Sequence, residues 1–159
     1  LKFYKPVGIV THSPTAYEQC IQDILPKEYQ HCYPIGRLDK DSEGLILLTT
    51  DGVFAKRCLD QQTPHRRDYE INVSKPLTLG MQEKITEGIT LWGIRTKRCE
   101  LVKKSDYTYQ ITLYEGKNRQ IRRMIQKVGS AVVKLKRIQF GPILLDTMKP
   151  GDIKPILVF

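Results

Sequence analysis

The sequence predicts an α+β fold: a largely antiparallel, twisted sheet flanked by helices, with a cleft across its middle. Three observations carry this expectation. Short runs of alternating or continuous apolar residues recur along the chain, separated by turn residues. Other stretches show helical spacing instead, opened by cap residues or closed by glycine. The 159 residues suffice for one hydrophobic core and are too few for two ordinary domains, and no repeat, linker or low-complexity segment divides them. Residues 1–159 are therefore expected to form one domain.

In chain order, residues 1–11 read as a strand, a turn at Lys5-Pro6-Val7-Gly8 and a second strand. Ser13 supplies an N-cap with Pro14 at the first helical position. Ala16, Cys20, Ile21, Ile24 and Leu25 then form one face of a helix that Pro26 stops. Residues 33–52 hold the densest chemistry: Asp39, Asp41 and Glu43 stand with Arg37 and Lys40 between Gly36 and Gly44, and run straight into the apolar strand at 45–50. Glycine at both ends permits a sharp turn and close approach, so the segment reads as a loop presenting a carboxylate from a rigid edge. Asp51 caps a short helix to about Leu59. The polar loop at 61–67 ends in His65-Arg66-Arg67, which suits phosphate contact or plain solvation equally. A strand at 68–74 shows alternation of Tyr69, Ile71 and Val73. Thr78 starts a helix through Glu87 that buries Leu79, Met81 and Ile85 and ends at Gly88. Strands follow at 89–92, 95–103 and 107–114. A strand at 131–140 turns at Gly141-Pro142, and residues 152–159 make the last one.

The stretch 115–124, EGKNRQIRRM, is the second one rich in chemistry. Its turn leads into a helix to Val128 closed by Gly129, with Arg119, Arg122 and Arg123 sharing one face and Ile121, Met124, Ile125 and Val128 facing the core. Guanidiniums so close repel, so an acidic partner is needed, either RNA phosphate or a carboxylate such as Asp39.

Charge narrows the partner class. With 26 Lys and Arg against 17 Asp and Glu, the net charge is +9, which favours a polyanion. A second basic run, Arg95, Lys97, Arg98, Lys103 and Lys104, could line an RNA groove or simply be solvated. No apolar run approaches the roughly 18 residues of a membrane span, and no amphipathic basic helix with a Trp or Phe face appears. Cys20, Cys32, Cys58 and Cys99 show no Cys-x-x-Cys pair and read as buried thiols of a reducing cytoplasm. His12, His31 and His65 stand at no metal-ligand spacing, so no metal is assigned. A calcium loop starting at Asp39 fails at its twelfth position, where Thr50 replaces the bidentate Glu. A solvated turn, or a carboxylate-pair hydrolase using Asp39 and Asp41, remains open on these residues alone. The chain begins at Leu1, inside a strand pattern and without an initiating Met, and reads as a piece whose N-terminal part is absent.

Gly36-Arg37-Leu38-Asp39, Ser42-Glu43-Gly44-Leu45 and Leu47-Leu48-Thr49 resemble the catalytic motif of the RsuA-type pseudouridine synthases, which isomerise uridine in ribosomal RNA. The similarity covers nearly the whole chain. It includes Lys5-Pro6-Val7-Gly8, Tyr69 after a basic pair, Gln120-Ile121-Arg122, the run from Lys134 to Arg137, and Phe140-Gly141-Pro142-Ile143. Residues 5–10, Tyr33-Pro34-Ile35-Gly36 and Thr96-Lys97-Arg98-Cys99 are most similar to the RluF type, which modifies large-subunit 23S ribosomal RNA.

The resemblance implies a pseudouridine synthase fold with a central RNA-binding cleft. Asp39 would be the nucleophile or base, Arg122 its partner, and Tyr69 an aromatic that stacks on uracil and acts near C5. Leu135 would close the pocket, with Arg37 and Lys5 helping to shape it. RNA contacts would come from Arg66, Arg67, Lys97, Lys117, Arg119 and Arg123. No cofactor is implied. The partner would be 23S ribosomal RNA, with transfer RNA a second candidate, and the protein a cytoplasmic monomer. An N-terminal S4-like RNA-binding domain is expected in the full-length protein. An RNA-binding module without catalysis is the alternative reading.

Overall fold

A computed structural model describes residues 1–156. The strands are β1 (Lys2–Lys5), β2 (Tyr33–Ile35), β3 (Glu43–Thr49), β4 (Arg67–Val73), β5 (Thr90–Leu91), β6 (Ile94–Arg95), β7 (Glu100–Lys103), β8 (Thr108–Leu113), β9 (Val132–Phe140), β10 (Ile143–Leu144) and β11 (Ile153–Lys154). The helices are α1 (Ile21–Ile24), α2 (Gly52–Leu59), α3 (Leu79–Glu87) and α4 (Gln120–Val128).

The apolar run of β3 lacks alternation because both its faces are covered. Leu45 and Leu47 pack with Tyr4, Ile35, Cys58 and Phe140, whereas Ile46 and Leu48 pack with Phe3, Ile21, Leu25 and Leu38. β3 thus sits inside the main sheet, whose order is β11-β1-β3-β9-β4-β8-β7, with β2 added on β3 and β10 on β9. Its ladders are antiparallel except for β3 and β9, which run parallel where Glu43 faces Lys136 and Gly44 faces Arg137. That short parallel pairing joins two antiparallel halves. The second half carries its own core, where Ile71, Tyr109 and Ile111 of the sheet meet Ile85 of α3 and Met124 and Ile125 of α4.

Caps legible in the sequence form as expected. Asp51 accepts from the backbone N–H of Val53 and Phe54 at the start of α2, and Thr78 accepts from that of Met81 in α3. The α+β class and the mostly antiparallel sheet agree with expectation.

Five expectations are corrected. The helix expected from Ser13 shrinks to α1, and Ser13 itself has a positive φ of 57°. The chain before α1 is instead bound to the acidic loop, through Thr11 Oγ1, which exchanges hydrogen bonds with both backbone groups of Leu38, and through a Lys40–Glu18 ion pair. The second strand expected before Thr11 is reduced to a single bridge between Val10 and Cys20. Leu79 is exposed, because α3 turns its first residue to solvent and buries Ile85. The strand expected at 95–103 breaks into β6 and β7, because Thr96 and Cys99 turn inward to bond the backbone of Ile89 and Thr86. The strand expected at 152–159 is β11 over Ile153–Lys154, and residues 157–159 lie outside the described residues.

Gly44 is where the two halves touch. Its φ is +109°, and a Cβ there would stand 2.3 Å from the Arg137 carbonyl oxygen and 2.8 Å from its amide nitrogen. Both neighbours are backbone and cannot swing aside. Gly44→Ala is expected to cost roughly 3 kcal/mol or more, read as a lowered urea midpoint; an unchanged midpoint would mean that the strands part freely.

Candidate active site

The acidic loop leads into β3 at the seam, and the start of α4 approaches it from the other half-sheet. Between them lies a cleft of about 410 Å³, bordered by Asp39, Tyr69, Arg119, Arg122, Leu135 and Arg137 among others. The cleft therefore brings Asp39, Tyr69, Arg122 and Leu135 together, with Arg37, Arg67, Lys117 and Arg119 also on its walls.

The pairing of charges differs in detail from the expectation. Arg119, not Arg122, approaches Asp39, with Nη1 at 3.5 Å from Oδ2. Asp41 is the hub. It accepts both Nη1 and Nη2 of Arg119 at 3.0 and 2.9 Å, and lies 3.6 Å from Arg122 Nη1. These hydrogen bonds and the nearby Arg122 charge hold the Asp41 carboxyl below the usual carboxylate range, against partial burial. Arg122 Nη2 donates to the Asp41 carbonyl at 3.0 Å and to Ser42 Oγ at 3.2 Å, which ties α4 to the backbone of the acidic loop. Burial pulls the Arg122 guanidinium down, while Asp41 and Asp39 oppose that shift. Among the described residues, Arg122 Nε is buried without a hydrogen-bond partner.

The arginines do not share one helical face. Arg119 precedes α4 with a left-handed φ of 50°, which redirects its side chain toward the acidic loop. Arg123 does not line the cleft; it lies behind Asn118, donating to the Asn118 carbonyl and Oδ1, each at 3.2 Å.

Lys5 is completely buried under the loop, where its ammonium donates to the carbonyls of Pro6 and Ile9 at 2.8 and 2.6 Å. Burial lowers its pKa to about 8, and Asp39, Asp41 and Glu43 limit the fall. Glu43 is buried too and accepts a hydrogen bond from the Tyr4 hydroxyl.

At the other end of the cleft, Arg67 and Arg137 both lie over the Phe140 ring, at 5.2 and 5.5 Å from its centroid. The sequence pointed to Arg137 through its place in the run from Lys134 that resembles the family. Phe140 lies in a stretch that resembles the family too, but strand alternation alone would turn it from the cleft; the register shifts between Asp68 and Tyr69, so that Asp68 faces Gln139 while Tyr69 faces Arg137. The extra residue, Ile138, is a bulge that brings Phe140 to the cleft side.

Other expected RNA contacts lie elsewhere. Arg66 makes a two-point pair with Asp68, at 2.8 and 2.9 Å, and neither it, Lys97 nor Arg123 lines the cleft. Lys97 is exposed, and its backbone N–H donates to Glu115 Oε2 at 2.7 Å. Lys117 donates to Glu115 Oε1 at 2.7 Å. The four cysteines are buried free thiols. Among the described residues no cluster of His, Cys, Asp and Glu could hold a metal ion, and no helix is long and apolar enough to cross a membrane.

Residues 1–127 match the model of the RNA pseudouridylate synthase family, and the chain belongs to that family. Within it the chain is of the RsuA type. It is 36% identical over 148 residues to the Escherichia coli dual-specificity RNA pseudouridine synthase RluF, an alignment covering 93% of this chain and 51% of that protein. It is 32% identical over 160 residues to ribosomal large subunit pseudouridine synthase B of Bacillus subtilis, covering 96% of this chain and 66% of the relative. The chain thus spans about half the length of the first of these curated relatives. A crystal structure of a pseudouridylate synthase superposes with a TM-score of 0.89 at 29% identity, over 98% of this chain and 69% of that one.

The carboxylates set an acid limit on stability. Burial pushes the Asp68 carboxyl up, but its bonds to Arg66, Thr112 and Gln110 outweigh burial and leave it below its ordinary value. Glu115 is partly buried, which pushes its carboxyl up, but Lys117, the Lys97 amide and Gln120 bring it below its ordinary value. Groups depressed in the folded state contribute stability that is complete above the unfolded carboxylate pKa of about 4 and is lost as pH falls through the folded values. Urea midpoints should therefore fall steeply below about pH 4, and Asp68→Asn should lower stability at neutral pH while flattening that slope; an unchanged slope would remove Asp68 from the account.

Proposed function

We propose that this chain is the catalytic domain of an enzyme that isomerises uridine to pseudouridine in ribosomal RNA. The observation that carries the reading is Asp39. It stands in the Gly36-Arg37-Leu38-Asp39 stretch that resembles the family's motif, and lies on the cleft wall beside a guanidinium and in the same cavity as Tyr69 and Leu135.

The reaction breaks the bond from ribose C1′ to N1 of uracil, turns the base and joins C1′ to C5, with the C5 proton lost and N1 gaining one. Asp39 acts on the sugar as nucleophile or base. Arg119 compensates its charge directly. Arg122 positions the acidic loop through Asp41 and Ser42. Tyr69 and Leu135 give the detached uracil an aromatic and an aliphatic wall. The target must leave its stack to reach this cavity, so a flipped or loop uridine is the substrate form. The large-subunit RNA is the first candidate, by likeness to the Bacillus subtilis ribosomal large subunit pseudouridine synthase B, and transfer RNA is the second. Arg67, with Arg137 beside it, is the cleft's main phosphate contact; Arg119 and Lys117, each already paired with a carboxylate, are secondary ones, and Lys97 and Arg66 extend the positive surface beyond the cleft.

Release of tritium from 5-labelled uridine in ribosomal RNA tests the reading. Asp39→Asn is expected to lower it by more than about a thousandfold. RNA binding without release by the wild-type protein would favour the non-catalytic module. Arg122→Ala should lower turnover about a hundredfold with a smaller effect on RNA affinity; equal losses would make it mainly a phosphate contact.

A further inference from the structure

The β5–β6 hairpin stands off the main sheet. Leu91 pairs with Ile94 and Thr90 with Arg95, so Trp92 and Gly93 alone make the turn. Both have positive φ, 50° at Trp92 and 76° at Gly93. This is the two-residue turn whose first position suits Asn, Asp or Gly. An indole there is held against the preference of its own backbone. Core packing offers no reason for the ring. Trp92 is 57% exposed, Ile94 beside it is 59% exposed, and neither belongs to a core cluster.

What holds the ring is Arg123, whose guanidinium carbon lies 4.4 Å from the ring centroid. The same guanidinium binds Asn118, which lines the cleft. The hairpin's exit is fixed to the same wall, where Glu115 accepts from the Lys97 amide, Lys117 and Gln120. One face of the indole is thus backed by a cation, more than half of the residue is exposed, and a single residue separates it from the cleft. Arg95, Lys97 and Arg98 follow along the hairpin limb, and Lys127 stands one turn beyond Arg123 on α4. The acids close by are committed, Glu87 to Arg98 at 2.8 Å and Glu115 as described.

An open aromatic face backed by a guanidinium and bordered by positive charge suits an unpaired nucleobase, because the ring stacks while the cations meet phosphates. An apolar protein partner would gain nothing from that border. We propose that Trp92 is a stacking platform for an unpaired nucleotide of the RNA strand that flanks the uridine held in the cleft. This rests on the RNA-substrate reading above.

Trp92 is the only tryptophan of the chain, so its emission reports this ring alone. Titration with oligouridylate should quench it saturably, and duplex RNA should quench it far less. Trp92→Asn gives the turn a residue that tolerates its backbone, so Tm should hold or rise. The Kd for fluorescein-labelled oligouridylate should weaken about tenfold, and Trp92→Phe should recover part of the loss. A lowered Tm in Trp92→Asn would make the ring structural and overturn the platform. So would an unmoved Kd, or emission that changes with protein concentration and not with RNA, the mark of a second copy on this face. Tritium release keeps the two readings apart: release by the wild-type protein with Trp92 emission and Kd unmoved defeats the platform alone, whereas quenching without release supports the platform and defeats the isomerase.

Discussion

Two backbones meet at Gly44 with no room for a side chain, and the candidate site depends on that contact. The sheet is two antiparallel halves joined where β3 runs parallel to β9, over the pairs Glu43–Lys136 and Gly44–Arg137. The acidic loop is the run-in to β3, so its position is set from one side of the joint. Tyr69 faces Arg137 across the ladder from β4, so its position is set from the other. A shift at the joint would move the carboxylate relative to the aromatic ring and leave each half-core intact. Close backbone approach therefore acts here as a device for placing side chains from distant parts of the chain within one cavity.

Charge then fixes the loop within that frame. Arg119 and Arg122 converge on a carboxylate that the catalytic reading does not consume, Asp41, and this leaves Asp39 with a single guanidinium at 3.5 Å and a face on the cavity. Beneath them Lys5 is sealed from water, and its ammonium is held by carbonyls and by the field of three carboxylates. Groups ordered in this way by the fold need no rearrangement when charge develops in a reaction. The two acids of the loop divide the labour: one is bound to the scaffold and the other is presented.

Much of this was legible in the residues. The loop between Gly36 and Gly44, the capped helices α2 and α3, and α4 closed by Gly129 all follow from local signals, because caps and glycines act within one turn of chain. The acid partner demanded by the arginines was legible too, but not which acid, because the left-handed turn at Arg119 changes the direction of its side chain. The helix expected from Ser13 failed for a tertiary reason. Its residues satisfy a capping pattern, yet Thr11 and Glu18 are drawn to Leu38 and Lys40, and no local pattern encodes that pull. The direction of Phe140 was hidden by the bulge at Ile138, since period-two reasoning assigns it to the wrong face once a single residue is inserted.

The cleft is not uniformly positive, and the difference between its ends has a physical consequence. Near Asp39 the guanidiniums of Arg119 and Arg122 are matched by Asp41, so an incoming anion gains little there. At the Phe140 end, Arg67 and Arg137 donate to the carbonyls of His65 and Leu45 and share one aromatic ring. Burial lowers the Arg67 pKa, the neighbouring Arg137 lowers it further, and only Tyr69 opposes them. Two like charges over one ring form a site that an anion would relieve more than any other in the cleft. A nucleotide entering this cavity is therefore oriented by its own charge distribution, with phosphate drawn toward Arg67 and Arg137 and the neutral sugar and base left to face Asp39 and Tyr69.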